Sequence, residues 1–154
     1  MLLYTYQQDE RMEIMISKGI YTALLTPFDS NGNFNKKALE KLIEFNLEKG
    51  VSGFYVTGST GEAFLLSESE RTEVMEAVAD IAGGSGASLI AHVGSISTKY
   101  SCSLALHAQK LGYDAVSAVP PFYFNFSGAE IKKYYADIAH SVDIPMIIYN
   151  IPAF

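Results

Sequence analysis

Cysteine is almost missing from this sequence, and tryptophan is missing entirely. Cys102 is the only cysteine among 154 residues, which excludes an internal disulfide and a zinc centre built on several thiolates. A chain without disulfides is typical of a reducing compartment, so we expect a cytoplasmic location. The first residues, "MLLYTYQQDERMEIMISKG", contain no basic segment followed by an apolar one, and no apolar run approaches membrane-spanning length. We therefore expect neither a signal peptide nor a membrane partner.

Basic residues are also scarce relative to acidic ones. The chain has 11 Lys and Arg against 17 Asp and Glu, a formal net charge of -6. No basic stripe is available to neutralise phosphates, so nucleic acid is not an expected partner. An anionic small molecule remains compatible with the sequence, because a local site can oppose the net charge.

Five short apolar segments alternate with four longer amphipathic segments along the chain. Most of the apolar segments are unbroken, which is typical of parallel strands that are covered on both faces. The predicted strands are Ile20–Leu25, Gly53–Val56, Ser88–Val93, Asp114–Val119 and Pro145–Tyr149. The predicted helices are Asn35–Lys49, Ser67 to the glycines at 83 and 84, Thr98–Lys110, and Ser127 to about Ile138. Ser67 with Glu70, and Ser127 with Glu130, form capping-box patterns at two helix starts.

Two α/β architectures fit this alternation. Successive strands start 26 to 35 residues apart, which suits βαβ units with right-handed crossovers. An open doubly wound sheet of five strands would be complete at this length, whereas a full (β/α)8 barrel needs about 250 residues. Length alone therefore favours the open sheet.

The segment "TGSTGEAF" after the second strand is the most informative one for function, because both architectures place their sites at the carboxyl ends of the strands. Gly58 and Gly61 permit unusual backbone angles and close approach. Ser59 and Thr60 offer two hydroxyls and two backbone N–H groups that could hold a carboxylate. The alternative is an ordinary strand-to-helix loop. The segment lacks both the P-loop lysine and the G-x-G-x-x-G spacing, so we expect no nicotinamide cofactor.

Tyr149 is the second candidate functional residue. It follows the apolar segment "PMII" on the same face as Ile147, and a phenol can relay a proton when neighbouring groups assist it. The alternative is a core aromatic residue whose hydroxyl bonds to backbone. His92, at the end of the third strand, is better explained as a satisfied core histidine. No histidine pair has metal-ligand spacing, so no metal is expected.

Five motifs together resemble a known enzyme family. "GIYTALLTPFD", "GSTGEAF", "LIAHVGS", "DAVSAVPPFYF" and "YNIPA" occur in this order on a βα framework, from about Gly19 to Ala153. They are similar to the pyruvate-dependent Schiff-base aldolases grouped around N-acetylneuraminate lyase and dihydrodipicolinate synthase. The sequences "GSTGE" and "YNIPA" are closer to the neuraminate lyase branch than to the synthase branch.

The resemblance reverses the preference for an open sheet. It implies a (β/α)8 TIM barrel, homotetrameric when complete, that is truncated here to about five strands and four helices. Residues 1–18 would form an N-terminal extension that need not be ordered, and residues 19–154 an incomplete barrel domain. A half-barrel would expose apolar side chains and unpaired strand edges, so we expect it to aggregate, to swap into an oligomer, or to need a second polypeptide.

The resemblance also implies residue roles. Ser59 and Thr60 would bind the substrate carboxylate, and Tyr149 would shuttle a proton at the hydroxyl beside the breaking carbon–carbon bond. The family reaction is the reversible cleavage of N-acetylneuraminate to N-acetylmannosamine and pyruvate. It uses a lysine Schiff base and no cofactor. That lysine would lie one βα unit beyond Tyr149, so we expect this chain alone to be inactive. Dihydrodipicolinate synthase, another pyruvate-dependent aldolase, and a non-catalytic assembly module remain alternatives.

Overall fold

The computed structural model describes residue 16 and residues 18–151 of the chain. Most of the predicted N-terminal extension and the last three residues lie outside the described residues. The elements are β1 (Tyr21–Ala23), α1 (Lys36–Glu48), β2 (Gly53–Val56), α2 (Glu68–Ala82), β3 (Ser88–His92), α3 (Thr98–Lys110), β4 (Ala115–Ala118), α4 (Gly128–His140) and β5 (Met146–Ile148). All nine coincide with predicted elements.

The sheet is wound in one direction only. Its five strands are all parallel and lie in the order β1-β2-β3-β4-β5. The helices also pack in series, α1 on α2, α2 on α3 and α3 on α4. A doubly wound sheet instead reverses its strand order at a switch point and carries helices on both faces. The expectation from length alone was wrong, because equal crossovers in one direction generate the strand order of a barrel.

The two predicted capping boxes start helices α2 and α4. The hydroxyl of Ser67 accepts a hydrogen bond from the Glu70 N–H, and the Glu70 carboxylate accepts one from the Ser67 N–H. Ser127 and Glu130 repeat this arrangement at α4. Each reciprocal pair satisfies backbone donors that a helix start leaves free.

The main core lies between the sheet and the helix layer. Leu39 and Ile43 of α1, Met75 of α2, and Phe54 and Val56 of β2 are all fully buried there. Strand alternation sends the intervening residues to the other face of the sheet. Burial of both faces explains why the strands are apolar without a break.

A smaller cluster occupies that second face. Ile90, Ala115 and Ile147 are buried there, and the half-buried rings of Tyr21 and Tyr55 pack against them. In a barrel this face is the interior. Among the described residues, every helix is too short or too polar to span a bilayer.

Candidate functional site

The second face of the sheet borders a cavity of about 490 Å³. Ser59, Thr60 and Tyr149, the three residues singled out in the sequence, all line it. Ile90 and Ile147 contribute to its apolar wall. The structure thus brings together residues that follow two strands, β2 and β5, which are not neighbours in the sheet.

The glycines of the "GSTGE" turn serve close packing. A Cβ added at Gly58 would lie 2.7 Å from the Tyr55 ring, and one at Gly61 would lie 2.9 Å from the Leu24 carbonyl oxygen. The left-handed backbone angles fall instead on the non-glycine residues that bracket the turn, Thr57 with φ 52° and Glu62 with φ 58°. The two glycines therefore let the turn pack against the residue that follows β1 and against the Tyr55 ring.

Ser59 and Thr60 present unused hydrogen-bond donors. Both residues are exposed. Two backbone hydrogen bonds close the turn: the Gly61 N–H donates to the Gly58 carbonyl at 3.1 Å, and the Glu62 N–H donates to the Ser59 carbonyl at 3.0 Å. Within the described part of the chain, the N–H groups and hydroxyls of Ser59 and Thr60 have no hydrogen-bond partner. Four donors in one turn beside a cavity can bind an anion such as a carboxylate.

Tyr149 lies where β5 ends. Its N–H donates to the Ala118 carbonyl at 2.9 Å, which continues the β4–β5 ladder by one residue. Its ring meets the Tyr55 ring edge to face, with centroids 6.1 Å apart. The predicted shared face with Ile147 is confirmed, because both side chains line the cavity.

Tyr55 was not singled out in the sequence, yet it connects the site residues. Its hydroxyl donates to Ser117 Oγ at 3.1 Å, across to β4. Burial raises the pKa of Tyr55 to about 12, so its phenol stays protonated at neutral pH. Strand alternation could have found it, because Tyr55 lies two residues before the residue that opens the donor turn.

His92 is a satisfied core histidine, as expected from the sequence. It is 1% exposed. The Val119 N–H lies 3.4 Å from Nε2 and the Thr57 carbonyl oxygen lies 2.9 Å from Nδ1, which together assign the tautomer whose Nδ1 carries the proton and donates it to Thr57. Arg71 Nη2 also lies 3.2 Å from Nδ1, and since a guanidinium only donates, that contact is not a hydrogen bond in this tautomer. Burial, together with the charge of Arg71, lowers the pKa of His92 to about 3. The imidazole is therefore neutral across the physiological range.

Arg71, on the first turn of α2, is a buried charge that sequence reasoning missed. It is 2% exposed, and burial lowers its pKa to about 10, so it remains charged at neutral pH. Its guanidinium donates to the His92 carbonyl at 2.6 Å and to the Gly94 carbonyl at 2.9 Å. The helical pattern of α2 could have indicated it, since Arg71 lies one turn before Val74 and Met75 on the buried side.

An aromatic group flanks the carboxyl edge of the sheet. The Phe64 ring packs edge to face on His92 and on Phe122, at centroid distances of 5.7 and 4.5 Å. Tyr123 and Phe124 remain 83% and 62% exposed, so they do not pack under α4. Exposed aromatic side chains at such an edge can cover a site or an interface.

Lysines are absent from the carboxyl edge of the cavity. Eight of the nine lysines lie on helices or at a helix end: Lys36, Lys37, Lys41, Lys49, Lys99, Lys110, Lys132 and Lys133. Lys18 lines the cavity but precedes β1, at the end opposite to the "GSTGE" turn.

Across the described residues, no group of three His, Cys, Asp or Glu side chains could hold a metal ion.

The single winding direction, the single helix layer and the donor turn at the carboxyl edge define the class. The fold is that of the (β/α)8 TIM-barrel proteins, represented here by five strands and four helices. The chain matches the dihydrodipicolinate synthetase family over residues 16–154, and it belongs to that family.

Similar proteins fall on both branches of this family. N-acetylneuraminate lyase of Escherichia coli is 51% identical over 137 residues, which cover 88% of this chain and 46% of that relative. The solved structure of CdNal from Clostridium difficile in complex with mannosamine is 48% identical, with a TM-score of 0.86 over 89% of this chain and 47% of that one. Dihydrodipicolinate synthase from Aquifex aeolicus is 35% identical, with a TM-score of 0.84 over 89% and 46%. The chain thus spans about half the length of these relatives.

Proposed function

We propose that this chain supplies the carboxylate-binding turn and the proton-relay tyrosine of an N-acetylneuraminate lyase-type aldolase. The observation that carries the proposal is the set of unpaired donors on Ser59 and Thr60, which lines the same cavity as Tyr149. The 51% identity to the E. coli lyase supports this branch over the synthase branch, for which the cited identity is 35%.

In the proposed reaction, a lysine amine attacks the ketone carbon of N-acetylneuraminate and water leaves. The carbon–carbon bond then breaks as the adjacent hydroxyl loses its proton, and the electron pair moves to the iminium nitrogen. The products are N-acetylmannosamine and an enamine, which hydrolyses to pyruvate. Ser59 and Thr60 hold the carboxylate that pyruvate inherits, and the Tyr149 hydroxyl accepts and returns the proton.

We further propose that the 154 residues do not catalyse this reaction by themselves. Eight lysines lie in the helix layer or at its edge, and Lys18 lies at the other end of the cavity from the donor turn. In this proposal the Schiff-base lysine is not one of these nine. We place the complete protein in the cytoplasm as a homo-oligomer, as the resemblance implies.

Pyruvate binding tests the role of the turn. Titration of the 15N-labelled chain with pyruvate should shift the amide signals of Ser59 and Thr60. Ser59→Ala and Thr60→Val, which each remove one hydroxyl, should weaken the affinity by about tenfold, since a hydrogen bond to a charged group is lost. The matched control is Ser103→Ala, on the exposed side of α3. Equal affinity in all four proteins would refute the proposed turn.

Borohydride trapping tests the origin of the lysine. Incubation with pyruvate and borohydride should leave the mass of this chain unchanged. Addition of the E. coli lyase segment that lies beyond the aligned region should give a pyruvyl adduct on the added segment. An adduct on this chain would contradict the proposal. Offering either N-acetylmannosamine or aspartate semialdehyde with pyruvate to the completed protein distinguishes lyase from synthase.

A further inference from the structure

The residue that precedes the donor turn has an unfavourable backbone conformation. Thr57 follows β2 directly and has φ 52°, in the left-handed region that a β-branched side chain rarely adopts. Such a conformation persists only where the surroundings hold it. Because Thr57 is the last residue before Gly58, its backbone angles set the direction in which Ser59 and Thr60 leave the sheet.

Two reciprocal hydrogen bonds join Thr57 to His92 on the neighbouring strand. The Thr57 hydroxyl donates to the His92 carbonyl at 3.0 Å, and His92 Nδ1–H donates to the Thr57 carbonyl at 2.9 Å. Both residues are 1% exposed. His92 therefore fixes both the side chain and the carbonyl of Thr57. These two bonds hold the χ1 angle of Thr57 and the peptide plane that follows it.

His92 is itself held from three sides. The Val119 N–H donates to Nε2, and the Phe64 ring packs on the imidazole edge to face. A Cβ at Gly94 would lie 2.7 Å from Nε2, so the chain after β3 passes directly against the ring. With both ring nitrogens engaged and no access to the cavity, His92 has no free atom with which to act on a substrate.

Arg71 connects the hydrogen-bonded pair of Thr57 and His92 to helix α2. Its guanidinium donates to the His92 carbonyl, which also accepts from Thr57, and to the Gly94 carbonyl. No carboxylate pairs with Arg71 in the part of the chain that the structure describes. Two guanidinium nitrogens of this buried cation donate to main-chain carbonyls, whereas Nε has no hydrogen-bond partner among the described residues. These two bonds hold the carbonyls tightly, because charge-assisted hydrogen bonds are the stronger ones. The same charge opposes protonation of His92.

The geometry points to His92 and Arg71 as positioning residues: through Thr57 they hold the "GSTGE" turn so that the donors of Ser59 and Thr60 face the cavity. This inference rests on the proposed function for the identity of the ligand as a carboxylate. It does not make either residue catalytic, since both act through Thr57.

Substitutions at Thr57 separate positioning from simple stability. Thr57→Val keeps the β-branch and removes only the hydroxyl that bonds His92, so pyruvate affinity should fall by roughly fivefold. Thr57→Asn is the matched control, because asparagine adopts the left-handed region readily, and it should bind pyruvate within about twofold of wild type. Stronger binding by Thr57→Val than by Thr57→Asn would overturn the inference.

A rescue experiment gives the sharper test. His92→Phe keeps a ring of similar size and removes both nitrogens, so it should lower pyruvate affinity by about tenfold. Adding Thr57→Gly in the same chain should restore most of the affinity, because glycine adopts positive φ without help. If His92→Phe does not fold, Arg71→Met with and without Thr57→Gly serves the same purpose. Failure of Thr57→Gly to restore binding in a folded variant would overturn the inference.

The backbone angle of Thr57 is measured independently of binding. A strong nuclear Overhauser cross-peak between the amide and α protons of one residue marks a positive φ. We expect this cross-peak for residue 57 in the wild-type chain, and we expect it to be lost in Thr57→Val or His92→Phe. Persistence of the cross-peak in both variants would overturn the inference. A wild-type chain that shows the cross-peak but no amide shift with pyruvate would refute the proposed function and leave the positioning role intact.

Discussion

Mild acid should destabilise this protein through one buried histidine. His92 has an ordinary pKa of 6.5 when unfolded and a pKa of about 3 in the folded chain. Its pKa is lowered in the folded state, so between pH 6.5 and about 3 His92 is protonated in the unfolded state but not in the folded state. The free energy of unfolding therefore falls as the pH falls from 6.5 towards 3.

The size of the effect follows from the pKa difference. At pH 5 the solution is about 1.5 units below the unfolded pKa and well above the folded one. At about 1.4 kcal/mol per unit, His92 alone should remove about 2 kcal/mol between pH 7 and pH 5. Capping hydrogen bonds lower the pKa values of Glu70 and Glu130. The contribution of these two carboxylates to the free energy of unfolding is therefore lost only below about pH 4.5. The window from pH 7 to 5 thus separates the histidines from these two carboxylates.

Urea unfolding followed by far-UV circular dichroism at pH 7, 6 and 5 measures this loss. One protein concentration is used throughout, so that association contributes equally. His92→Asn should be less stable at pH 7 but should lose the acid dependence. His140→Asn, which removes an exposed histidine on α4, should keep it. A free energy of unfolding that stays level from pH 7 to 5 in wild type, or an equal drop in His92→Asn, would refute the reasoning.

Four further substitutions test the local structure by urea unfolding at pH 7. Ser67→Ala and Ser127→Ala each remove a capping-box hydroxyl, and each should cost about 1 kcal/mol; no loss in either would contradict the capping role. Gly58→Ala places a Cβ 2.7 Å from the rigid Tyr55 ring and should cost about 1–3 kcal/mol, with amide shifts in the turn. Gly128→Ala has open space on the first turn of α4 and should instead stabilise by about 0.5 kcal/mol, so that a loss there would show an unseen contact.

Sequence reasoning predicted the secondary structure well because the signals are local. A capping box needs only two residues three positions apart, and an apolar run indicates a strand wherever that strand ends up. The "GSTGE" turn was also visible, since its five residues are consecutive. The motif order added the barrel family, which the strand order and the family match confirm.

The network behind the turn was not predictable in the same way. Thr57 and His92 are 35 residues apart, and Tyr55 and Ser117 are 62 residues apart. The sequence around one member of each pair therefore does not indicate which residue it will bind. Arg71 looked like any other charged residue at a helix start. Its burial depends on which side of α2 faces the sheet, and its acceptors are backbone carbonyls that carry no sequence signature.

The sequence by itself determined where the chain forms strands and helices, how two of the helices begin, and that Ser59 and Thr60 offer donors beside a strand end. Only the tertiary structure decided that the sheet winds in one direction and that Tyr149 shares a cavity with the donor turn. It also decided that Thr57 is held in a left-handed conformation by His92. The physical reason is that local preferences act within a few residues, whereas strand order and reciprocal side-chain bonds depend on contacts between segments that only packing brings together.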